Sequence, residues 1–320
     1  MQVLKQIPEN VLISVLSAST TPLNDQLFLL PNHLHEAAVH AAFPSIQASR
    51  SLDLASNHKL DATRCTALYM WLWPFLAKIT SLTLRGRSLM RSLSGLGPNL
   101  ASITSLQHLD LAHNSLGDSG ATMIGPHLAS LSSLTLLSLS SNGIGDRGAM
   151  LLGPHLASLT SLNHLDISYN SIGEEGVTAL GPHLASLRTL QHLDLAVNRI
   201  DSQGGIVLGC HLARLSFLRH LDISNNRIGD DGATELGPHL ASLTRLQYLD
   251  LRNNGIRGCG LVSLFLCSSS RGMLQGIVWL LPRMIAQNIA PVSLIGATLG
   301  SMLSSNKLSS TDVRLWSTAQ

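Results

Sequence analysis

The stretch LQHLDLAHNSL, residues 106–116, decides how this chain is read. The same frame returns 28 residues later from Leu134, then from Leu162, Leu190 and Leu218, and a sixth copy opens at Leu246. Aligned, whole columns are fixed: Leu109, Leu137, Leu165, Leu193, Leu221 and Leu249 form one, and Asn114, Asn142, Asn170, Asn198, Asn226 and Asn254 another. A fixed period of this length marks stacked supersecondary units, each too small to bury its own apolar side and so dependent on its neighbours.

Within a copy, Leu109 and Leu111 alternate with His108, Asp110 and Ala112, which predicts a strand with its leucines buried. Asn114 follows, where the chain must turn inward; its amide is expected to bond neighbouring turns as an asparagine ladder, because a bend at that depth strands backbone groups. Gly120 and its equivalents mark the next turn, after which Ala121, Ile124, Leu128 and Leu131 recur at helical spacing and predict an outer, convex layer. Gly-Pro pairs at Gly125-Pro126, Gly153-Pro154, Gly181-Pro182 and Gly237-Pro238 fall inside that segment. Proline removes a helical hydrogen bond and costs about 3 kcal/mol in a helix interior. Two short helical pieces or a kink are therefore expected, with a straighter helix where Gly209-Cys210 stands instead.

The frame L-x-x-L-x-L-x-x-N-x-L resembles a leucine-rich repeat, and Gly117-Asp118-Ser119-Gly120-Ala121 with the leucine pattern after it resembles the ribonuclease-inhibitor-like, NOD-receptor-like subclass. The resemblance covers about half of the chain. It implies an α/β solenoid, a horseshoe of about eight repeats with a curved parallel sheet on its concave face and helical segments on its convex face. The array is expected over residues 46–264: two degenerate repeats, five regular ones and one partial. The first degenerate unit is visible in Ile46, Leu52, Leu54 and Asn57, with Trp71 and Trp73 in its helical part, and the second runs from Ile79 to Leu100.

Residues 1–45 stand outside the period and are expected to form a helical N-terminal cap entered through Pro8. Ile7 to Leu16 also resembles the opening of an F-box, the module that docks substrate adaptors on ubiquitin ligases, although nothing after it continues that pattern. Residues 265–320 are expected to be a C-terminal cap, partly disordered. Their apolar runs, 273–281 and 289–303, are shorter than the roughly 18 to 20 residues a membrane helix needs. Membrane association is not expected.

Composition narrows the function. The chain is 45% hydrophobic but only 4% aromatic and 12% charged, which suits a core stacked from Leu, Ile, Val and Ala. Net charge is +2 and the lysines are only Lys5, Lys59, Lys78 and Lys307, so no broad phosphate-binding surface and no nucleic-acid partner are expected. Cys65, Cys210, Cys259 and Cys267 show neither disulfide nor zinc spacing, which favours a reducing, cytoplasmic setting.

Apparent catalytic motifs dissolve on inspection. His35-Glu36 with His40 misses the H-E-x-x-H spacing by one residue, which would put His40 about 140° around a helix from His35. Gly117-Asp118-Ser119-Gly120 resembles the nucleophile segment of trypsin-like proteases, but the later copies read Gly-Asp-Arg-Gly at 145 and Gly-Glu-Glu-Gly at 173. It is a turn. No phosphate loop is present, so no catalysis, cofactor or metal is expected.

Parallel strands about 4.8 Å apart would set equivalent side chains in rows. His108, His164, His192, His220 and Tyr248 then form one row, broken by Leu136, and Asp110, Asp166, Asp194, Asp222 and Asp250 the next, broken by Ser138. Crowded carboxylates should raise some aspartate pKa values, and the neighbouring imidazoles should be held in their charged form. Ordinary repeat consensus explains these rows; a pH-responsive binding face and a weak metal site are the sharper readings. A second histidine column, His127, His155, His183, His211 and His239, is expected to be partly buried and hydrogen-bonded in the convex layer.

Columns that vary are free to specify a partner. The expected partner-binding residues are Tyr169, His192, Asp194, Arg199, His220, Asp222, Asn225, Arg227, Tyr248 and Arg252, rich in the side chains that dominate binding hot spots. The function this implies is a monomeric, non-enzymatic scaffold or recognition module for a protein partner. The alternatives are an F-box-like substrate-recognition subunit and a regulator of a small GTPase.

Overall fold

The structure, a computed structural model, describes residues 50–53, 78–86, 93–257, 260, 263 and 264. The expected caps, the F-box resemblance, the near-metalloprotease histidines, the helical part of the first degenerate unit and Cys65, Cys259 and Cys267 lie outside the described residues.

Strands and helices alternate: β1 (Ser51–Asp53), β2 (Ser81–Thr83), α1 (Leu93–Leu100), β3 (His108–Asp110), α2 (Gly117–Leu128), β4 (Leu136–Ser138), α3 (Asp146–Leu156), β5 (His164–Asp166), α4 (Glu174–Leu184), β6 (His192–Asp194), α5 (Ser202–Leu212), β7 (His220–Asp222), α6 (Gly229–Leu240) and β8 (Tyr248–Asp250). The strands pair parallel in chain order as one sheet of 8. Registers match the repeat, so Leu109 faces Leu137, Leu165 faces Leu193 and Leu221 faces Leu249. The result is a curved solenoid with the sheet as its concave layer and the helices as its convex layer. Between them runs one continuous apolar core that includes Leu106, Leu109, Leu111, Ile124, Leu128 and Leu131 and their equivalents. Each fully buried leucine contributes about 2 kcal/mol of transfer free energy, and every unit shares its leucines with two neighbours.

The strands end two residues sooner than the alternation suggests, at Asp110 and its equivalents. Asp110 Oδ1 accepts the Ala112 N–H at 2.8 Å, and Asp194 and Asp222 do the same for Ala196 and Ser224 at 2.9 Å. This side-chain turn bends the chain, so Ala112 is buried instead of facing solvent. The asparagine ladder then closes the bend. Asn142 Nδ2 donates to Leu139 O and to Leu111 O of the preceding unit, while Asn142 Oδ1 accepts the Asn114 N–H at 3.0 Å.

The expected division into two helical pieces at the Gly-Pro pairs does not occur. Pro154 and Pro182 lie inside α3 and α4, each a continuous 11-residue helix, the same length as α5 with Cys210 in that position. Each proline sits in the last turn with its side chain exposed, so one carbonyl loses its intrahelical partner on the side where water can replace it. The helices also begin with help from the unit before. Asp118 Oδ1 accepts from Gly145 and Gly148 N–H at 2.8 and 2.9 Å, and Asp146 does the same for Gly173 and Gly176. Where Glu174 replaces the aspartate, α5 is capped by its own Asp201, which accepts from Gly204 N–H.

Candidate functional site

Because β5 to β8 share one register, the first residues of these strands, which point outward, stack. The rings of His164 and His192 lie 5.2 Å apart, His192 and His220 5.4 Å, and His220 and Tyr248 4.1 Å with an interplanar angle of 4°. Beside this ladder runs the carboxylate row Asp166, Asp194, Asp222 and Asp250. The candidate residues His192, Asp194, His220, Asp222 and Tyr248 thus form one patch over the last three strands of the concave sheet.

Half of the electrostatic expectation holds. Asp194 is raised to about 6, first by burial and then by the charges of Asp166, Asp222 and Asp250, against the opposing Ala196 hydrogen bond. The imidazoles go the other way. His164 and His220 are lowered, by burial first and by the neighbouring His192 second, while nearby aspartates oppose. The expected stabilisation of the charged form fails because the face is partly dehydrated and the histidines are stacked on one another.

At the last strand Arg252 turns back on Asp250, its Nη2 at 2.5 Å from Oδ2 and its Nε at 3.0 Å from Oδ1. Burial works to raise Asp250, but the hydrogen bonds and charge of Arg252 outweigh it and hold the carboxyl below its usual range. The Tyr248 hydroxyl donates to Asp250 Oδ2 at 3.3 Å. Arg252 therefore closes the carboxylate row at its end.

The variable column beyond the strands has left-handed backbone throughout: His113, Ser141, Tyr169, Val197, Asn225 and Asn253 have φ between 52° and 60°. That geometry lifts Tyr169 outward, and it is 59% exposed. Asn253 Nδ2 donates to Asn225 Oδ1 at 2.9 Å, tying this rim across two units. Arg199 and Arg227 are exposed two positions further on, at the approach to α5 and α6, and make no polar side-chain contact with the histidine and aspartate rows among the described residues.

The convex histidines are half-buried, as expected, but their packing is not what polar spacing suggests. Each ring lies on a glycine of the unit before: a Cβ on Gly153 would fall 2.5 Å from His183 Cδ2, and one on Gly181 2.3 Å from His211 Cδ2. The contact is van der Waals. Among the described residues the one polar ring contact in this column is Cys210 Sγ with His239 Nε2 at 3.5 Å.

One feature of the helix-to-strand edge escaped the column reading. Phe217 is exposed there with the Arg245 guanidinium 4.3 Å from its ring centroid, where earlier copies carry Ser or Thr. The sequence carries a signal for it, since Ser105, Ser133, Ser161 and Thr189 give way to Phe217 and Arg245 in that column.

Among the described residues no cluster of His, Cys, Asp or Glu has metal-holding geometry, and no helix is long and apolar enough to cross a membrane. Sequence profiles described as Leucine Rich repeat match residues 102–125, 130–153, 158–181, 186–209 and 214–237, and a second profile of that description matches residues 245–268. Among solved structures, an internalin C2 from Listeria monocytogenes is similar over 73% of this chain and 98% of its own length, at 23% identity and a TM-score of 0.46. No curated protein sequence matches. The repeated strand, asparagine turn and helix, together with these matched segments, make residues 102–268 a run of leucine-rich repeats.

Proposed function

We propose that this chain is a non-enzymatic protein-binding module of the ribonuclease-inhibitor-like kind, receiving its partner on the concave face of β5 to β8. The period of 28 residues with a helix in each regular unit supports the subclass. The observation that carries the binding reading is the chemistry of the face: a stacked His-His-His-Tyr ladder beside carboxylates, flanked by exposed Tyr169, Arg199 and Arg227. The aspartates spend Oδ1 on their own turns, so Oδ2 of Asp194 and Asp222 is the atom a partner would meet. The exposed thiol of Cys210 supports a reducing, cytoplasmic setting. Proximity labelling in cells with the full chain, repeated with Tyr169→Ala, Arg199→Ala and Arg227→Ala combined, tests the reading. A defined set of neighbours lost with the triple variant supports it, since hot-spot truncations each weaken binding by about 2 kcal/mol. An unchanged set overturns it.

A further inference from the structure

We propose that the helix-to-strand edge of the last regular units is a second docking surface, built for an acidic segment of a partner protein. Arg188, Arg214, Phe217, Arg219 and Arg245 are all exposed on this edge, in the loops that leave α4, α5 and α6. The aligned copies show how particular this is. At the position of Arg188 they carry Ser or Thr, at that of Arg214 Ser, at that of Arg219 Thr, Asn or Gln, and in the column of Phe217 and Arg245 Ser or Thr. Repeat architecture therefore does not need these side chains, and they are gathered on adjacent units.

None of the four arginines pairs with a carboxylate among the described residues, where Arg252 with Asp250 is the ion pair found. No Asp or Glu stands between Pro182 and Gln191, between Leu212 and His220, or between Leu240 and Gln247. Among the described residues the charge is thus uncompensated on its own edge, and it already lowers His211, after burial, through Arg214. Arg188 Nη1 reaches Arg214 O at 3.5 Å, and Arg245 lies over Phe217, so two guanidinium groups are held in place before any partner arrives. Stacked arginine retains its hydrogen-bonding fork for carboxylates, and ordering it in advance reduces the entropy lost on binding.

A polyanion such as nucleic acid fits less well. Between residues 93 and 257 acidic residues outnumber arginines and there is no lysine, while Glu174, Glu175, Asp201 and Asp231 crowd the opposite edge and would repel an extended phosphate chain. A short acidic peptide that stays on one edge avoids them.

Fluorescence anisotropy of the full chain with a labelled peptide of roughly a dozen alternating Asp and Glu residues tests this. The combined variant Arg188→Thr, Arg214→Ser, Arg219→Gln and Arg245→Ser uses residues native to the other copies and should keep the same melting curve. Its affinity should fall about tenfold or more at low salt, and Phe217→Ser should lower it about threefold. The Tyr169, Arg199 and Arg227 triple variant should bind the peptide as the wild type does, which separates this surface from the concave one. Affinity unaltered in the four-arginine variant, loss that follows Arg199 and Arg227 instead, or tighter binding of single-stranded DNA or phosphatidylserine vesicles than of the peptide would each overturn the proposal. Hydrogen exchange on the wild type reads the same question without a variant: peptide-induced protection at 213–219 is expected, and protection confined to the strands contradicts it.

Discussion

Asn170 holds its bend with five hydrogen bonds: its amide reaches the carbonyls of Leu139, Ile167 and Ser168, and its Oδ1 accepts from Asn142 and Ile144. Truncation leaves these buried backbone groups without partners. Asn170→Ala is therefore expected to destabilise by about 3 kcal/mol or more, read as a lower urea midpoint, whereas the exposed neighbour Tyr169→Ala should change it by less than about 0.5 kcal/mol. Val197 presents the opposite case. It occupies the left-handed column at φ 54°, a region unfavourable to β-branched residues. Asn serves at the same turn in Asn225 and Asn253, so Val197→Asn is expected to stabilise by about 1 kcal/mol. A melting temperature unchanged or lowered in that variant would show the strain is absorbed elsewhere.

The helices depend on contacts between units as much as on their own propensity. Gly153 weakens α3 intrinsically, by about 1 kcal/mol relative to Ala. It persists because His183 occupies the space of a Cβ, 2.5 Å from where one would stand. Gly153→Ala is expected to destabilise by about 1 to 2 kcal/mol, and adding His183→Ala should recover most of that loss. A double-mutant cycle by chemical denaturation checks it; additive effects would mean the ring swings aside at no cost. The Gly-Pro pair follows the same logic: glycine admits the ring of the next unit, and proline takes the exposed last turn, where the carbonyl that loses its bond is open to solvent.

Across the whole sheet, stacking of like side chains sets the response to pH. His164 and His220 lie below the unfolded value of about 6.5, so the unfolded chain takes up protons first and stability is lost as pH falls through that region. Asp194 has the opposite sign. Raised to about 6, it is protonated in the folded chain while the unfolded carboxyl is still charged, so acidification from about 6 toward 3.8 restores stability. Asp194→Asn should thus be more stable than wild type above pH 6, on the order of 1 kcal/mol after solvent screening, with the difference fading by about pH 4. Thermal melts across that range check the sign, and an advantage that grows on acidification would contradict it.

The 28-residue period by itself determined the parallel sheet, the inward leucines, the asparagine ladder and the convex helices, because each repeats the same local geometry and the columns declare which positions are constrained. It also set the histidine and aspartate rows, since a shared register puts equivalent residues side by side. Only the tertiary structure decided how those rows are charged, that aspartates of one unit cap helices of the next, and that proline leaves the helices whole. These depend on how much water remains at each atom and on which neighbour fills a glycine's missing side chain. Neither is a property of one repeat; both exist only between repeats.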